Sequence, residues 1–283
     1  QYVVSTLLYL AYTRKLDLRK LTLGVVGVGN VGSKVARAAE ALGMKVLLND
    51  PPRQREEMDE VFVELDEIRN RADIITLHVP LNKGGIDNTF HLVNRVFMES
   101  IKKGVVLINT SRGEVVEELV LLKGIRDGIF SDVVLDVFEN EPNIKPELLD
   151  AITLATPHIA GYSLDGKATG TTMSVRALSR FFDLGLDDWS PTHIPTPPVT
   201  ELHGDGSGTH PFELLWDLFR RTYDVASDDR KLRSDPGSFE KLRGDYPFRR
   251  EPLAYAVRLF QGYPEITEAL EKLGFSVLGD YCA

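Results

Sequence analysis

Residues 21–53 constrain the fold of this chain more than any other stretch. An apolar run at residues 23–26 enters Gly27-Val28-Gly29-Asn30-Val31-Gly32. A helical pattern follows, with Val31, Val35, Ala38, Ala39 and Leu42 recurring on one face. Gly43 stops that helix, residues 45–49 form the next strand, and Asp50-Pro51-Pro52-Arg53 closes the unit. Each glycine answers a separate demand: a tight turn, room for a pyrophosphate to approach the backbone, and close helix–strand packing. The anion would lie on the free N–H groups at the helix N-terminus. Asp50, 18 residues past Gly32, stands where an acid takes the adenosine ribose hydroxyls, although an aspartate before Pro51 reads equally as a helix N-cap. Strand, glycine turn, helix and acid together specify a Rossmann dinucleotide site built on Gly27, Gly29, Asn30, Val31, Gly32 and Asp50.

At 283 residues the chain is long enough for two domains with cores of their own. A net charge of −9 argues against nucleic acid as a partner, and no apolar run reaches bilayer length, which argues against a membrane partner. One cysteine, Cys282, permits no internal disulfide and suits a reducing cytoplasm. The N-terminal apolar stretch lacks the basic segment and cleavage site of a signal peptide; Val3, Leu7, Leu10 and Ala11 read as one face of a helix already under way at Gln1.

Past Asp50, an acidic loop (Glu56, Glu57, Asp59, Glu60) leads to a short helix over 64–70. Strands are expected at 74–79, 105–109, 133–136 and 152–155, with helices at 94–102 and 115–127 between them. Apolar strands alternating with helices predict a doubly wound parallel α/β sheet of six strands. A long helix over 166–182 then leaves the sheet, and a Gly/Asp/Pro-rich linker over 183–198 follows. The tail reads as a small α+β unit: helices at 211–221, 236–243 and 265–273, strands at 254–259 and 275–278, and a polar turn after Tyr223-Asp224-Val225. The resulting division is 1–19, 20–162, 163–197 and 198–283.

Three sites fall at or just after strand ends, where ligands bind on such sheets. Arg112 lies in Asn-Thr-Ser-Arg-Gly, Asp136 and Glu141 in Leu-Asp-Val-Phe-Glu-Asn-Glu-Pro, and His158 in Thr-Pro-His-Ile-Ala-Gly. Singly, these read as a loop-capping arginine, solvated acids and a satisfied loop histidine. Jointly, they supply an anchor for a carboxylate, an orienting acid and a base, the groups that oxidation of an alcohol requires. No cluster with metal-ligand spacing accompanies them.

These motifs resemble the D-2-hydroxyacid dehydrogenases, and more closely the erythronate-4-phosphate dehydrogenase family of vitamin B6 synthesis. The narrower likeness rests on His158-Ile-Ala-Gly-Tyr-Ser-Leu-Asp-Gly-Lys-Ala-Thr-Gly-Thr-Thr172 and Tyr223-Asp-Val with Asp228-Asp229. Pro236-Gly-Ser-Phe-Glu-Lys-Leu-Arg, Tyr246 and Arg249-Arg-Glu extend it. The resemblance implies NAD as cofactor, His158 as proton acceptor, Glu141 as its partner and Arg112 as the substrate arginine. It implies Asp50, Val79, Asp136 and Gly161 on the NAD, Tyr162 on the substrate, and a C-terminal domain that makes a homodimer. The implied reaction converts 4-phospho-D-erythronate, a phosphorylated 2-hydroxy acid, to 2-oxo-3-hydroxy-4-phosphobutanoate. Lys167, Arg249 and Arg250 are the candidates for its phosphate.

One departure follows from the same likeness. The family places a lobe of roughly a hundred residues, a usual domain size, before the first helix, and the helix over 166–182 would pack against it. Only 26 residues precede Gly27 here. The competing expectations are therefore another D-2-hydroxyacid dehydrogenase, which the tail motifs disfavour, and a dimeric NAD-binding module without turnover.

Overall fold

The computed structural model describes residues 1–207, 210–260 and 264–278; Cys282 lies outside them. Helix α1 (Tyr2–Arg14) leads into β1 (Thr22–Val26), α2 (Gly32–Ala41), β2 (Lys45–Asn49), α3 (Pro51–Glu57), α4 (Leu65–Arg71) and β3 (Ile74–Leu77). The alternation continues through α5 (Arg95–Glu99), β4 (Val105–Asn109), α6 (Glu118–Arg126), β5 (Phe130–Leu135), α7 (Pro146–Ala151), β6 (Leu154–Ala155) and the long α8 (Leu164–Phe182). The tail comprises β7 (Glu201–Asp205), α9 (Pro211–Arg220), α10 (Val225–Ser234), α11 (Phe239–Gly244), β8 (Ala256–Phe260), α12 (Pro264–Lys272) and β9 (Ser276–Leu278).

The first six strands form one parallel sheet in the order β2-β1-β3-β4-β5-β6. β1, β3 and β4 are buried along nearly their whole length, as strands covered on both faces must be. The chain runs outward from β1 to β2, then crosses back to β3 on the other side of β1. That reversal opens a crevice beyond the carboxyl ends of β1 and β3. β7, β8 and β9 make a second, smaller parallel sheet.

The fold is the expected α/β doubly wound sheet with a small α+β unit, but several local expectations give way. The acidic stretch after Asp50 begins as α3, because Asp50 caps it and Pro51 and Pro52 occupy its first turn. The polar turn after Val225 is α10, capped by the Asp224 carboxylate. β7 went unread, since its inward positions are Leu202 and the side-chain-less Gly204. Nor does α1 bury one face only. Tyr2, Val3, Val4, Ser5, Thr6, Leu7, Leu8, Leu10 and Ala11 are all buried, so the helix is enclosed on every side.

What encloses α1 is the tail. It packs along α9 and α10, and one continuous apolar cluster runs from Val25, Ile108 and Val134 of the sheet through Leu7 and Leu10 to Phe212, Leu218 and Phe219. Ser5 Oγ donates to the Tyr223 carbonyl at 2.9 Å, and Tyr2 OH meets Thr156 Oγ1 at 2.7 Å. On α8, by contrast, Met173, Leu178, Phe181 and Phe182 lie exposed. No helix among the described residues is long and apolar enough to cross a membrane.

Candidate active site

The glycine turn shows why those three positions exclude a side chain, and each does so differently. Gly27 has φ +87°, and a Cβ there would stand 2.7 Å from the His78 carbonyl. A Cβ on Gly32 would meet the Gly27 carbonyl oxygen at 1.9 Å, so α2 seats against β1 only without one. Around Gly29 nothing lies within 4 Å, which leaves the backbone open to an incoming group. The Ser33 and Lys34 N–H groups bond the Gly29 and Val31 carbonyls at 3.0 Å, but no side chain caps α2, so the Gly32 N–H remains for an anion, with Asn30 and Val31 exposed beside it. Val79, two residues past β3, touches the position of Gly27 from the facing side. A pyrophosphate fits this cradle.

Asp50 meets both of its readings. Its Oδ1 accepts from the Arg53 N–H at 3.2 Å as an N-cap, and Oδ2 accepts from the Val28 N–H at 2.7 Å. A carboxylate offers about four acceptor sites, so two remain for a ribose diol. Arg53, a cation that could welcome a 2′-phosphate, is tied to Glu57 at 2.7 Å and to the Val28 carbonyl at 2.5 Å.

Six residues downstream of the β5 end, Glu141 turns back beneath its own loop: Oε1 accepts from the Phe138 N–H at 2.8 Å. Oε2 lies 2.8 Å from His158 Nδ1. With Nδ1–H donated to that carboxylate, the ring presents its lone pair at Nε2. His158 itself has φ +56°, a left-handed conformation that a non-glycine residue adopts only under constraint. The constraint is Asp136. Its carboxylate accepts from Thr156 Oγ1 at 2.6 Å, the Ile159 N–H at 2.8 Å and the Ala160 N–H at 2.9 Å. Its backbone carbonyl accepts from the His158 N–H at 2.8 Å. Burial pushes the Asp136 carboxyl up to about 6, against these same hydrogen bonds. Asp136 is thus first a brace for the histidine loop, with about one of its four acceptor sites left for a cofactor. Gly161, exposed at the outer side of this loop, has nothing within 4 Å of a would-be Cβ.

Arg112 reaches the same edge from β4. A Cβ on Gly113 would stand 2.0 Å from the Phe138 backbone, so the loops after β4 and β5 touch main chain to main chain. The Arg112 guanidinium is exposed, donates to the Ser111 carbonyl at 2.6 Å, and forms no ion pair among the described residues. It is available to a carboxylate.

Two features escaped the sequence. Thr156 relays Tyr2 of α1 to Asp136, and only its place in Ala-Thr-Pro-His hinted at a role. His91 pairs with Glu139 at 2.7 Å, which fixes the far end of the acid loop. Of the phosphate candidates, Arg250 is locked to Asp165, with Nη2 to Oδ1 at 2.8 Å. Arg249 is buried under the Ile159 and Ala160 carbonyls at 3.1 and 2.8 Å. Only Lys167 stays exposed. No group of His, Cys, Asp and Glu able to hold a metal occurs among the described residues.

A glycine cradle at a sheet crossover, with a base–acid pair and an unpaired arginine at the carboxyl edge, is the arrangement of a NAD-dependent 2-hydroxyacid dehydrogenase. In agreement, the model of the D-isomer specific 2-hydroxyacid dehydrogenase NAD-binding domain matches residues 9–160, and a domain of unknown function matches residues 193–274. Among solved structures, D-lactate dehydrogenase from Aquifex aeolicus, complexed with NAD and lactic acid, is 30% identical with a TM-score of 0.51. The match covers 68% of this chain and 67% of that one. A glyoxylate reductase from Paecilomyes thermophila is 26% identical with a TM-score of 0.53, over 69% and 64% of the two chains.

The relatives narrow the class. Erythronate-4-phosphate dehydrogenase of Bacteroides fragilis is 49% identical over 257 residues, 91% of this chain and 71% of the relative. That of Proteus mirabilis is 40% identical over 279 residues, 98% and 73% of the two. The chain belongs to the erythronate-4-phosphate dehydrogenase family, and its cofactor is NAD.

Proposed function

We propose that this site oxidises the C2 hydroxyl of 4-phospho-D-erythronate to the 2-oxo acid, a step in pyridoxine synthesis. The observation that carries the reading is the His158–Glu141 pair at 2.8 Å, on a loop held next to an unpaired Arg112. The Gly27–Gly32 turn and Asp50 would hold the NAD, with Val79, Asp136 and Gly161 along its length. Bound there, the nicotinamide supplies the acceptor for the two electrons that leave C2. His158 Nε2 takes the hydroxyl proton. Glu141 fixes the ring and offsets the charge it gains. Arg112 holds the substrate carboxylate through its planar fork and faces the oxygen that becomes the carbonyl. Tyr162 lines the substrate side. The tail motifs and the names of the relatives support this substrate over other 2-hydroxy acids. With them go a homodimer formed through residues 198–283, the units 1–19, 20–162 and 163–197 before it, and a cytoplasmic setting suited to a single thiol.

The test is NADH formation with 4-phospho-D-erythronate. His158→Gln should leave NADH binding near normal and lower turnover by roughly two to four orders of magnitude, the usual contribution of a general base. Arg112→Lys should raise KM as well as lower the rate, because a point charge cannot reproduce the fork. Near-normal turnover in His158→Gln would overturn the reading.

A further inference from the structure

The sequence run that ends at Arg243 has no part in the chemistry above, yet the structure carries that arginine to the histidine loop. Arg243, in the last turn of α11, donates from Nε to Tyr162 OH at 3.2 Å. Lys167, in the first turn of α8, places Nζ 4.2 Å from the centre of the same ring. One tyrosine therefore gathers two cations, one from the tail and one from the helix that follows the sheet. Neither cation forms an ion pair among the described residues. Two acids beside them are already engaged. Asp165 accepts from the Arg250 guanidinium and from the Glu251 N–H at 2.7 Å. Asp228 accepts from Tyr246 OH at 2.6 Å and pairs with Lys231 at 3.2 Å. Tyr246 in turn packs edge-on against Tyr162, with ring centres 6.0 Å apart. Two like charges held together without a counter-charge favour an anion between them.

The position suits one particular anion. Tyr162 closes a turn on Ile159, its N–H bonding that carbonyl at 2.9 Å, so the two residues lie within about 7 Å, and His158 is the neighbour of Ile159. A four-carbon acid with its C2 hydroxyl at His158 and its carboxylate at Arg112 sends its far end along this turn.

We propose that Arg243, Lys167 and Tyr162 form the seat for a phosphomonoester dianion, the terminal phosphate of the substrate. This deepens the reading of the reaction given above and rests on it for the identity of the ester. The tail would then be a wall of the substrate pocket as well as a structural unit, and Arg243 the residue that separates phosphorylated from plain 2-hydroxy acids.

The experiment is calorimetric titration of the NADH-loaded chain with inorganic phosphate and with 4-phospho-D-erythronate, followed by steady-state oxidation. Arg243→Gln and Lys167→Met should each weaken both ligands by about ten- to a hundredfold, the loss expected for a charge-assisted contact. Arg243→Lys should recover part of it, and binding of unphosphorylated D-erythronate should not change. Thermal melts within a few degrees of the wild type show that the fold is kept. Absence of saturable phosphate binding, or equal loss for D-erythronate, would overturn the seat. An Arg243→Gln chain that oxidises the phosphoester with unchanged KM refutes the seat and leaves the reaction standing. A wild type that binds phosphate through Arg243 but never oxidises the ester upholds the seat and refutes the reaction.

Discussion

At the scale of single residues, the site depends on side chains held away from their ordinary states. His78 follows β3 beside the glycine turn, its ring nitrogens on Thr76 Oγ1 at 2.9 Å and Thr110 Oγ1 at 3.2 Å. Burial lowers its pKa to about 4, so the folded chain keeps it neutral well below the usual imidazole range. In the unfolded chain it takes a proton below about 6.5. Above that pH neither state is charged and His78 contributes nothing to pH dependence. As pH falls from about 6.5 to about 4, only the unfolded state gains the proton, and stability is lost. The loss should reach about 2–3 kcal/mol, somewhat below the full shift because the residue keeps some exposure. Urea midpoints at pH 7 and 4.5 should therefore converge in His78→Asn relative to the wild type; an unchanged gap would place the acid sensitivity elsewhere. Of the proposed catalytic set, the residue types at His158, Glu141 and Arg112 were legible because each follows a strand end in the sequence. The brace on Asp136 was not, since its three donors come from Thr156, Ile159 and Ala160, two of them backbone groups with no side-chain signature.

At the scale of elements, periodicity succeeded along the apolar strands of the main sheet and failed at short or polar elements, such as the six-residue α7 with its buried Leu148 and Leu149. All six strands of the main sheet were readable as apolar runs. α10 was not, because two of its inward residues are Asp228 and Asp229. Asp229 accepts from the Ala155 N–H of β6 at 2.7 Å and from Arg233 at 2.8 Å, so the helix packs through carboxylates. Loop contacts obey a stricter rule than helix faces. Gly113→Ala should force the loops after β4 and β5 apart, since its Cβ has only 2.0 Å to the Phe138 backbone. We expect about 2–4 kcal/mol of destabilisation, or a displaced Glu141 with activity lost at near-normal stability, either consequence of backbone overlap. Gly29→Ala is the contrast. With open space around it, stability should hold while NADH affinity falls. Chemical denaturation and NADH fluorescence titration separate the two, and equal behaviour would refute the distinction.

At the scale of the whole molecule, the tail is joined to the sheet through α1 and not merely tethered to it. Removing residues 198–283 would strip Phe212, Leu218 and Phe219 from α1, so a deletion cannot report on assembly. Point changes can. Leu253 and Phe260 are exposed apolar side chains of the tail, as a contact between two copies requires. For the homodimer proposed above, Leu253→Asp combined with Phe260→Asp should shift sedimentation from dimer to monomer with the helical circular dichroism unchanged. A persistent dimer would move the contact away from this surface.

The enclosure of α1 also sets an order of events during synthesis. Gln1 and Ser5 bond to Arg250 and Tyr223, partners 249 and 218 residues further along the chain. At about 5–20 residues per second, an apolar helix leaves the ribosome roughly ten to forty seconds before the surface that covers it. Until then its valines and leucines face water or a chaperone. The nascent sheet can form early from its local βαβ units, yet the histidine loop, braced through Thr156 onto Tyr2, acquires its final support only after that helix is covered. Ribosome-bound chains stalled before residue 200 should accordingly be protease-sensitive at α1 even where the Rossmann strands resist.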